Sequence, residues 1–163
     1  MHRSARLPSL PLKGGCQCGA VRYRIGAAPQ TFYCCHCREC QRQSASAFGQ
    51  SVWVAREAFA CGGTLACTTR RADSGAVREG WFCPACGVRI FHAGPASPEV
   101  VVRGGTLDDT RWLVPAGHIW TASRQPWLSI PPDEWSHPGE PEDFTPLIER
   151  WKEMLQRGAV AKM

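Results

Sequence analysis

The chain has 163 residues and a formal net charge of +5, from 19 basic and 14 acidic side chains. Hydrophobic residues make up 44% and charged residues 20%, which predicts a packed core and excludes a disordered chain. The length suits one domain. The sequence contains no apolar run of about 18 residues, so no transmembrane helix is predicted. The most unusual feature of the composition is its ten cysteines.

The N-terminal stretch is expected to form a short tail over residues 1–11. Its apolar part is short and is interrupted by Pro8 and Pro11, which is not typical of a signal peptide. Without an export signal the expected compartment is the cytoplasm, where thiols stay reduced. Ten reduced cysteines therefore favour metal binding over a disulfide framework.

The first cysteine pair, Cys16 and Cys18, is flanked by glycines at positions 14, 15 and 19. Alternate residues of a strand share one face, but their Cα atoms lie about 6.6–7 Å apart, too far for ideal chelation of one ion. The glycines allow the backbone to curl and bring the two sulfurs together. The pair therefore predicts half of a metal site.

The central cluster places Cys35, Cys37 and Cys40 within six residues. Three protein ligands leave the fourth position of a tetrahedral zinc open, which is typical of catalytic sites. If the segment enters as a strand, Cys34 points away from Cys35 and is a core thiol. A closed site with Cys34 or His36 as fourth ligand is the alternative, although His36 is expected to point outward.

The third group, Cys83 and Cys86, lies in the run CPACG, where Gly87 can adopt the positive φ of a tight turn. A two-cysteine turn supplies half a tetrahedron, so Cys16 and Cys18 are its natural partners. Together they predict a closed, structural four-thiolate zinc that crosslinks distant parts of the chain. Buried thiols without a metal are the alternative.

Several short segments have the pattern of strands, beginning with the alternation over residues 21–26. Further β-rich runs end near glycine or proline, at residues 51–54, 64–69, 88–92 and 100–103. Their spacing predicts antiparallel sheets rather than alternating β and α units. The fold class is therefore mainly β.

Two helices interrupt this pattern. The first is predicted over residues 38–44, where its first N–H groups would favour nearby thiolates. The second is predicted over residues 146–156, with Thr145 as its N-cap and Gly158 as its end. Its apolar face, which is expected to pack against the sheets, is formed by Leu147, Ile148, Trp151 and Leu155.

Metal binding would change the charge of the protein. Seven thiolates and two zinc ions together lower the net charge from +5 to about +2. The apparent basicity thus gives little reason to expect a nucleic-acid partner, and none is predicted.

The cysteine segments and the residues around them resemble the GFA family (glutathione-dependent formaldehyde-activating enzyme, or centromere protein V family). The matching stretches are GGCQCGAVRY at 14–23, CHCRECQRQSASAF at 35–48, FCPACGVRIF at 82–91 and PAGHIWTASRQPWL at 115–128. The resemblance covers residues 12–130, the expected zinc-binding domain, on which residues 131–163 would pack as a loop and helix. It implies a mostly β, zinc-ribbon-related fold built around a structural zinc.

The resemblance also implies a role for each cysteine group. The structural zinc would be held by Cys16, Cys18, Cys83 and Cys86, and a second, catalytic zinc by Cys35, Cys37 and Cys40. The implied partner is glutathione or another small thiol adduct, and the implied activity is that of a carbon–sulfur lyase of the S-(hydroxymethyl)glutathione synthase type. A zinc-stabilised binding module or adduct carrier without turnover is the alternative.

A few residues beside these motifs are further candidates for the site. His118 is a candidate for the pocket wall, with a satisfied structural histidine as the favoured interpretation, and Trp120 and Trp127 are candidates for pocket lining. Glutathione carries two carboxylates, which need cationic donors. The candidate donors, each of which also fits a solvated surface arginine, are Arg38, Arg42, Arg89 and Arg124.

Overall fold

A computed structural model describes residues 3–72 and 75–160; the outermost residues of the predicted tail and of the C-terminal segment lie outside this range. Within the described residues the fold is mainly β, as predicted. The strands are β1 (Leu12–Gly15), β2 (Arg22–Ile25), β3 (Thr31–Cys35), β4 (Gly49–Ala55), β5 (Phe59–Gly62), β6 (Ala66–Arg71), β7 (Val77–Phe82), β8 (Arg89–Ala93), β9 (Glu99–Arg103), β10 (Gly117–Ile119) and β11 (Trp135–Ser136). The helices are α1 (Arg38–Ser44) and α2 (Thr145–Val160).

The chain divides into two compact units. We call residues 8–29, 52–72 and 75–111 the strand unit, and residues 3–7, 30–51 and 112–160 the helical unit. Each is described by itself below. None of the described helices is long and apolar enough to cross a membrane.

The strand unit contains a small antiparallel sheet with the order β1-β2-β5. The predicted alternation along β2 is confirmed, because Val21, Tyr23 and Ile25 are buried while the arginines between them are exposed. The Tyr23 hydroxyl is hydrogen-bonded to Thr106 Oγ1 at 2.8 Å. This bond ties the sheet to the 3-10 turn Gly104–Thr106.

The same unit contains a second run of neighbouring strands in the order β9-β8-β7-β6, with the end of β4 beside β9. Pairing between β6, β7, β8 and β9 is antiparallel, as the spacing of the β-rich runs predicts. Phe91 contacts Phe59 and Trp81, with ring centroids 5.0 and 5.9 Å apart. Aromatic contacts therefore form part of the core of this unit.

In the helical unit, β11, β10, β3 and the first residues of β4 lie side by side. Strand β10 runs parallel to both β3 and β11, with His118 opposite Cys34 and Ile119 opposite Cys35. Parallel neighbours need a long connection, and the many residues between β3 and β10 supply one. The antiparallel pattern predicted from the sequence thus holds in the strand unit, whereas the helical unit adds parallel pairs.

Helix α2 packs on β3, as its apolar face predicts. Leu147, Trp151 and Met154 are buried, and the Trp151 ring packs edge-on against Phe32 at 6.4 Å. The buried Thr31 hydroxyl donates a hydrogen bond to the Leu147 carbonyl at 3.1 Å. The helix is thereby fixed to the strand that leads into the central cysteine cluster.

The predicted ends of α2 need correction. Thr145 is its first helical residue rather than the N-cap, and the Asp143 carboxylate accepts the Thr145 N–H at 2.8 Å. The helix also continues through Gly158 to Val160. A Cβ atom on Gly158 would lie 2.0 Å from the Ala5 carbonyl oxygen, so glycine is needed there for close approach of the N-terminal segment rather than for termination.

Candidate metal centres

The strand unit brings the two outer cysteine pairs together. The sulfurs of the four-cysteine cluster, which is Cys16, Cys18, Cys83 and Cys86, all lie within 4.8 Å of one another. The sulfur of Cys18 is 3.5 Å from that of Cys16 and 3.7 Å from that of Cys83. A tetrahedral zinc with Zn–S bonds of about 2.3 Å places its sulfurs about 3.8 Å apart. The four thiols can therefore hold one metal ion.

Two glycine turns build this cluster. The Gly19 N–H donates to the Cys16 carbonyl at 3.1 Å, and the Gly87 N–H donates to the Cys83 carbonyl at 2.8 Å. The φ angles of these glycines are +80° and +75°, values that side chains disfavour. The positive φ predicted for Gly87 is confirmed, and Gly19 has the same conformation beside the first cysteine pair.

The thiols of the four-cysteine cluster shift one another's pKa values. Burial would raise the pKa of Cys16, but hydrogen bonds from the Val21 N–H and the neighbouring thiols lower it to about 6. The Ala20 N–H lowers the pKa of Cys18, yet hydrogen bonding with Cys16 and Cys86 raises it to about 11. The first thiol to ionise thus keeps its neighbour protonated. A divalent cation would remove this conflict, because it stabilises every thiolate at once.

The helical unit contains the three-cysteine cluster, which is Cys35, Cys37 and Cys40. Their sulfurs also lie within 4.8 Å of one another. Cys35 ends β3, Cys37 is the N-cap of α1, and Cys40 lies in its first turn. The Cys37 sulfur accepts the Cys40 N–H at 3.3 Å. The predicted bounds of α1, residues 38–44, are confirmed, as is the approach of its first N–H groups to a thiol.

The three-cysteine cluster resists ionisation without a cation. Hydrogen bonding with Cys37 and Cys40, together with burial, raises the pKa of Cys35 far above its usual range. The contact with Cys35 lowers the pKa of Cys37, but Cys40 and burial raise it overall. Crowded thiols of this kind fit a soft-ligand metal such as zinc. The cluster offers three ligands, so a tetrahedral ion would keep one position for an outside group.

Neither predicted alternative ligand belongs to the three-cysteine cluster. Among the described residues, neither the Cys34 sulfur nor a ring nitrogen of His36 joins the three sulfurs within 4.8 Å. Cys34 is buried on β3, and burial raises its pKa to about 12, as expected for a core thiol. Cys34 is therefore not part of the sulfur cluster to which Cys35 and Cys37, its neighbours in the run CCHC, belong.

The expectation that His36 points outward is wrong, because its side chain is fully buried. Its Nε2 is 2.9 Å from Nδ1 of His118, whose Nε2 is 2.8 Å from the Glu134 carboxylate. Glu134 in turn forms an ion pair with Arg3. We call these four residues the polar chain. His118 is accordingly a satisfied structural histidine, the interpretation favoured from the sequence.

The protonation of the polar chain follows from its surroundings. Burial lowers the pKa of His36 to about 4, and it also lowers that of His118 against the opposing effect of Glu134. Both imidazoles are therefore neutral at pH 7. Since a carboxylate only accepts, His118 donates from Nε2 to Glu134 and accepts at Nδ1 from His36 Nε2. Donation thus runs from His36, the residue between Cys35 and Cys37, through His118 to Glu134, which is ion-paired with Arg3 on its other side.

Gln41 is a residue of the site region that sequence reasoning missed. It follows Cys40 in α1, it is buried, and its Nε2 donates to the carbonyl oxygens of His36 at 2.7 Å and Ser123 at 2.9 Å. Its Oε1 accepts from Gln125 Nε2 at 3.3 Å. One amide therefore joins the cysteine segment to residues 123–125. A single glutamine in a helix carries no local signal for such a role.

The two candidate tryptophans differ in their surroundings. Trp120 has a φ of +57° and begins the 3-10 turn Thr121–Ser123, a conformation that is unfavourable for a bulky side chain. Trp127 is 70% exposed, and its Nε1 donates to Gln125 Oε1 at 2.7 Å. Trp120 precedes and Trp127 follows the residues 123–125 that Gln41 joins to α1, and pocket lining by either ring stays a prediction.

Comparison with known proteins confirms the resemblance predicted from the cysteine segments. Residues 11–123, more than half of the chain, match the sequence model of the family described as glutathione-dependent formaldehyde-activating enzyme (GFA). A crystal structure of a protein from Rhodobacter sphaeroides aligns with a TM-score of 0.46 at 22% identity. That alignment covers 60% of this chain and 88% of the other.

Proposed function

The chain belongs to the family of glutathione-dependent formaldehyde-activating enzymes, and on that premise we propose that it forms or cleaves a glutathione–aldehyde adduct. The activity would be that of a carbon–sulfur lyase of the S-(hydroxymethyl)glutathione synthase type. The observation that supports this proposal is the three-cysteine cluster, in which three crowded thiols lie together without a fourth ligand atom among the described residues.

The two clusters would have different roles. The four-cysteine cluster supplies a complete set of ligands, so it would hold a structural zinc that joins two distant segments of the strand unit. The three-cysteine cluster would hold the catalytic zinc through Cys35, Cys37 and Cys40. The protein would therefore carry two zinc ions per chain.

The ligand set determines the chemistry of the second site. When bound, zinc with three thiolates has a net charge of about −1, so it activates water poorly and accepts a soft sulfur ligand well. Cys35 and Cys40 are buried, which limits competition by water, while the half-buried Cys37 lies closest to solvent. The proposed ligand is the sulfur of glutathione.

The overall reaction balances without a redox partner. In the direction of synthesis, the glutathione sulfur forms a bond to the aldehyde carbon, and the proton lost by the thiol is matched by one gained at the carbonyl oxygen. Cleavage is the reverse. The role of the protein would be to bind the glutathione sulfur next to Cys35, Cys37 and Cys40 and to orient it. Holding one reactant in place lowers the entropic cost of bringing it to the aldehyde.

Titration of the cobalt-substituted protein with glutathione tests the proposal. We expect two cobalt ions per chain, and a change in the sulfur-to-cobalt absorption bands of one of them on addition of glutathione. Cys37→Ser should lose one ion and the response. Cys34→Ser is the matched control, since Cys34 lies in the same segment but outside the cluster, and it should retain both.

Two other results would change the assignment. One metal per chain in the wild type, unaffected by Cys37→Ser, would exclude the second site. A glutathione response without acceleration of adduct formation over the spontaneous rate would favour an adduct carrier over a lyase.

A further inference from the structure

Four arginines near the cysteine motifs are candidates for binding an anion, and the structure separates one from the rest. Arg38 donates to Gln41 Oε1 at 2.8 Å, Arg42 is paired with Glu39 at 2.8 Å, and Arg89 donates to Thr68 Oγ1 at 3.3 Å. Arg124 has no ion pair and no side-chain hydrogen bond within the described part of the chain. Its Nε is buried without an acceptor. A guanidinium in this state has donors that can still bind an anion.

The backbone around Arg124 is held beside the three-cysteine cluster. The preceding residue, Ser123, accepts a hydrogen bond from Gln41 Nε2 at 2.9 Å, and the following residue, Gln125, donates to Gln41 Oε1 at 3.3 Å. Gln41 is the neighbour of Cys40 in α1. Arg124 is therefore fixed on both sides to the residue next to a proposed metal ligand.

Arg124 is thus a cation without an ion pair among the described residues, and its two neighbours in the chain both bond to Gln41, the residue after Cys40. An unpaired cation close to a ligand-binding site is well placed to receive a negative group on the ligand.

We propose that Arg124 binds the carboxylate of the thiol that occupies the three-cysteine site, which makes the site selective for anionic thiols. This inference rests on the proposed function, because it takes the cluster as the place where a thiol binds. A guanidinium forms two parallel hydrogen bonds with a carboxylate, so the interaction also orients the ligand. A neutral thiol of the same length would gain nothing from Arg124.

A matched pair of thiols tests the proposal. Cobalt-loaded wild-type protein is titrated with 3-mercaptopropionate and with 3-mercapto-1-propanol, which differ only in the carboxylate. From the usual strength of a charge-assisted hydrogen bond we expect the carboxylate thiol to bind about tenfold more tightly. Arg124→Gln should remove this preference by weakening only 3-mercaptopropionate.

Two further variants complete the experiment. Arg42→Gln removes the same charge from α1 but breaks only an exposed pair with Glu39, so the preference should persist. Arg124→Lys keeps the charge and loses the paired hydrogen-bond geometry, so it should keep a reduced preference. The lysine variant also provides a readout if the glutamine variant does not fold.

Each contrary outcome is distinct. If Arg124→Gln weakens both thiols equally, Arg124 acts on the cluster and not on the carboxylate, and the inference is wrong. If the variant retains the preference, the carboxylate binds elsewhere, and the inference is again wrong while the proposed function stands. If neither thiol alters the wild-type spectrum, the proposed function fails together with the inference.

Discussion

The two cysteine clusters use the same side chain in different surroundings. The four-cysteine cluster is built from two short turns, each completed by a glycine with positive φ, and it contains its own full ligand set. The three-cysteine cluster is built where a strand passes into a helix, and His36, between Cys35 and Cys37, is hydrogen-bonded to the buried side chains of His118 and Gln41. An ion in the first cluster would take all four ligands from that cluster, whereas the segment that carries the second is also held by buried polar side chains outside it.

The sharpest test of this comparison removes one cysteine from each cluster. Cys83→Ser should lower the free energy of unfolding by more than about 4 kcal/mol, because a structural metal contributes directly to folding. Cys40→Ser should lower it by only about 1–2 kcal/mol while abolishing the response to glutathione. Thermal unfolding and metal analysis measure both effects, with Cys67→Ser, outside both clusters, as the control. Equal destabilisation would contradict the division of roles.

A change in the polar chain is expected to have an effect of intermediate size. Glu134→Gln removes the charge that pairs with Arg3 and weakens the acceptor for His118, so the helical unit should lose about 1–3 kcal/mol. Because the polar chain begins at His36, which lies between Cys35 and Cys37 in the sequence, the metal affinity of the three-cysteine cluster should also fall about tenfold. Competition with a metal chelator measures this affinity.

The control for that test is Thr31→Val. It removes another buried hydrogen bond of the helical unit, from the same strand that carries Cys35, at a cost of about 1 kcal/mol. Its metal affinity should remain that of the wild type. A similar loss of affinity in both variants would mean that stability, and not the polar chain, controls the site.

The smallest effect is expected at a turn of the four-cysteine cluster. Gly87→Ala places a side chain at a φ of +75°, although no atom lies within 4 Å of the added Cβ, so only the conformation is penalised. The cost should be about 1 kcal/mol, seen as a severalfold weaker affinity of this cluster alone. Gly139→Ala, where the added Cβ also meets nothing and φ is not positive, should be neutral. An unchanged affinity in Gly87→Ala would show that the turn does not set the sulfur geometry.

Local features of the sequence predicted much of the fold and both cysteine groupings. The spacing of the cysteines, the glycines beside them and the alternation along residues 21–26 are all short-range signals, and each has its counterpart in the structure. The bounds of α1 were predictable for the same reason, since its composition and its cap lie within a few residues of each other.

Contacts between distant parts of the chain that no local motif marks were not predictable. His36 is buried because β10, more than 80 residues later, places His118 against it. The end of α2 was misplaced because the need for Gly158 comes from Ala5, at the other end of the chain. Periodicity in a short window contains no information about either partner.

The order of segments along the chain determines which unit can be completed first during synthesis. All residues of the strand unit precede position 112, whereas β10, β11 and α2 of the helical unit come after it. Synthesis proceeds from the N-terminus, so a growing polypeptide has its four-cysteine ligands complete before the second unit can close. The four thiols can thus bind an ion before His118 and Glu134 of the polar chain have been synthesised.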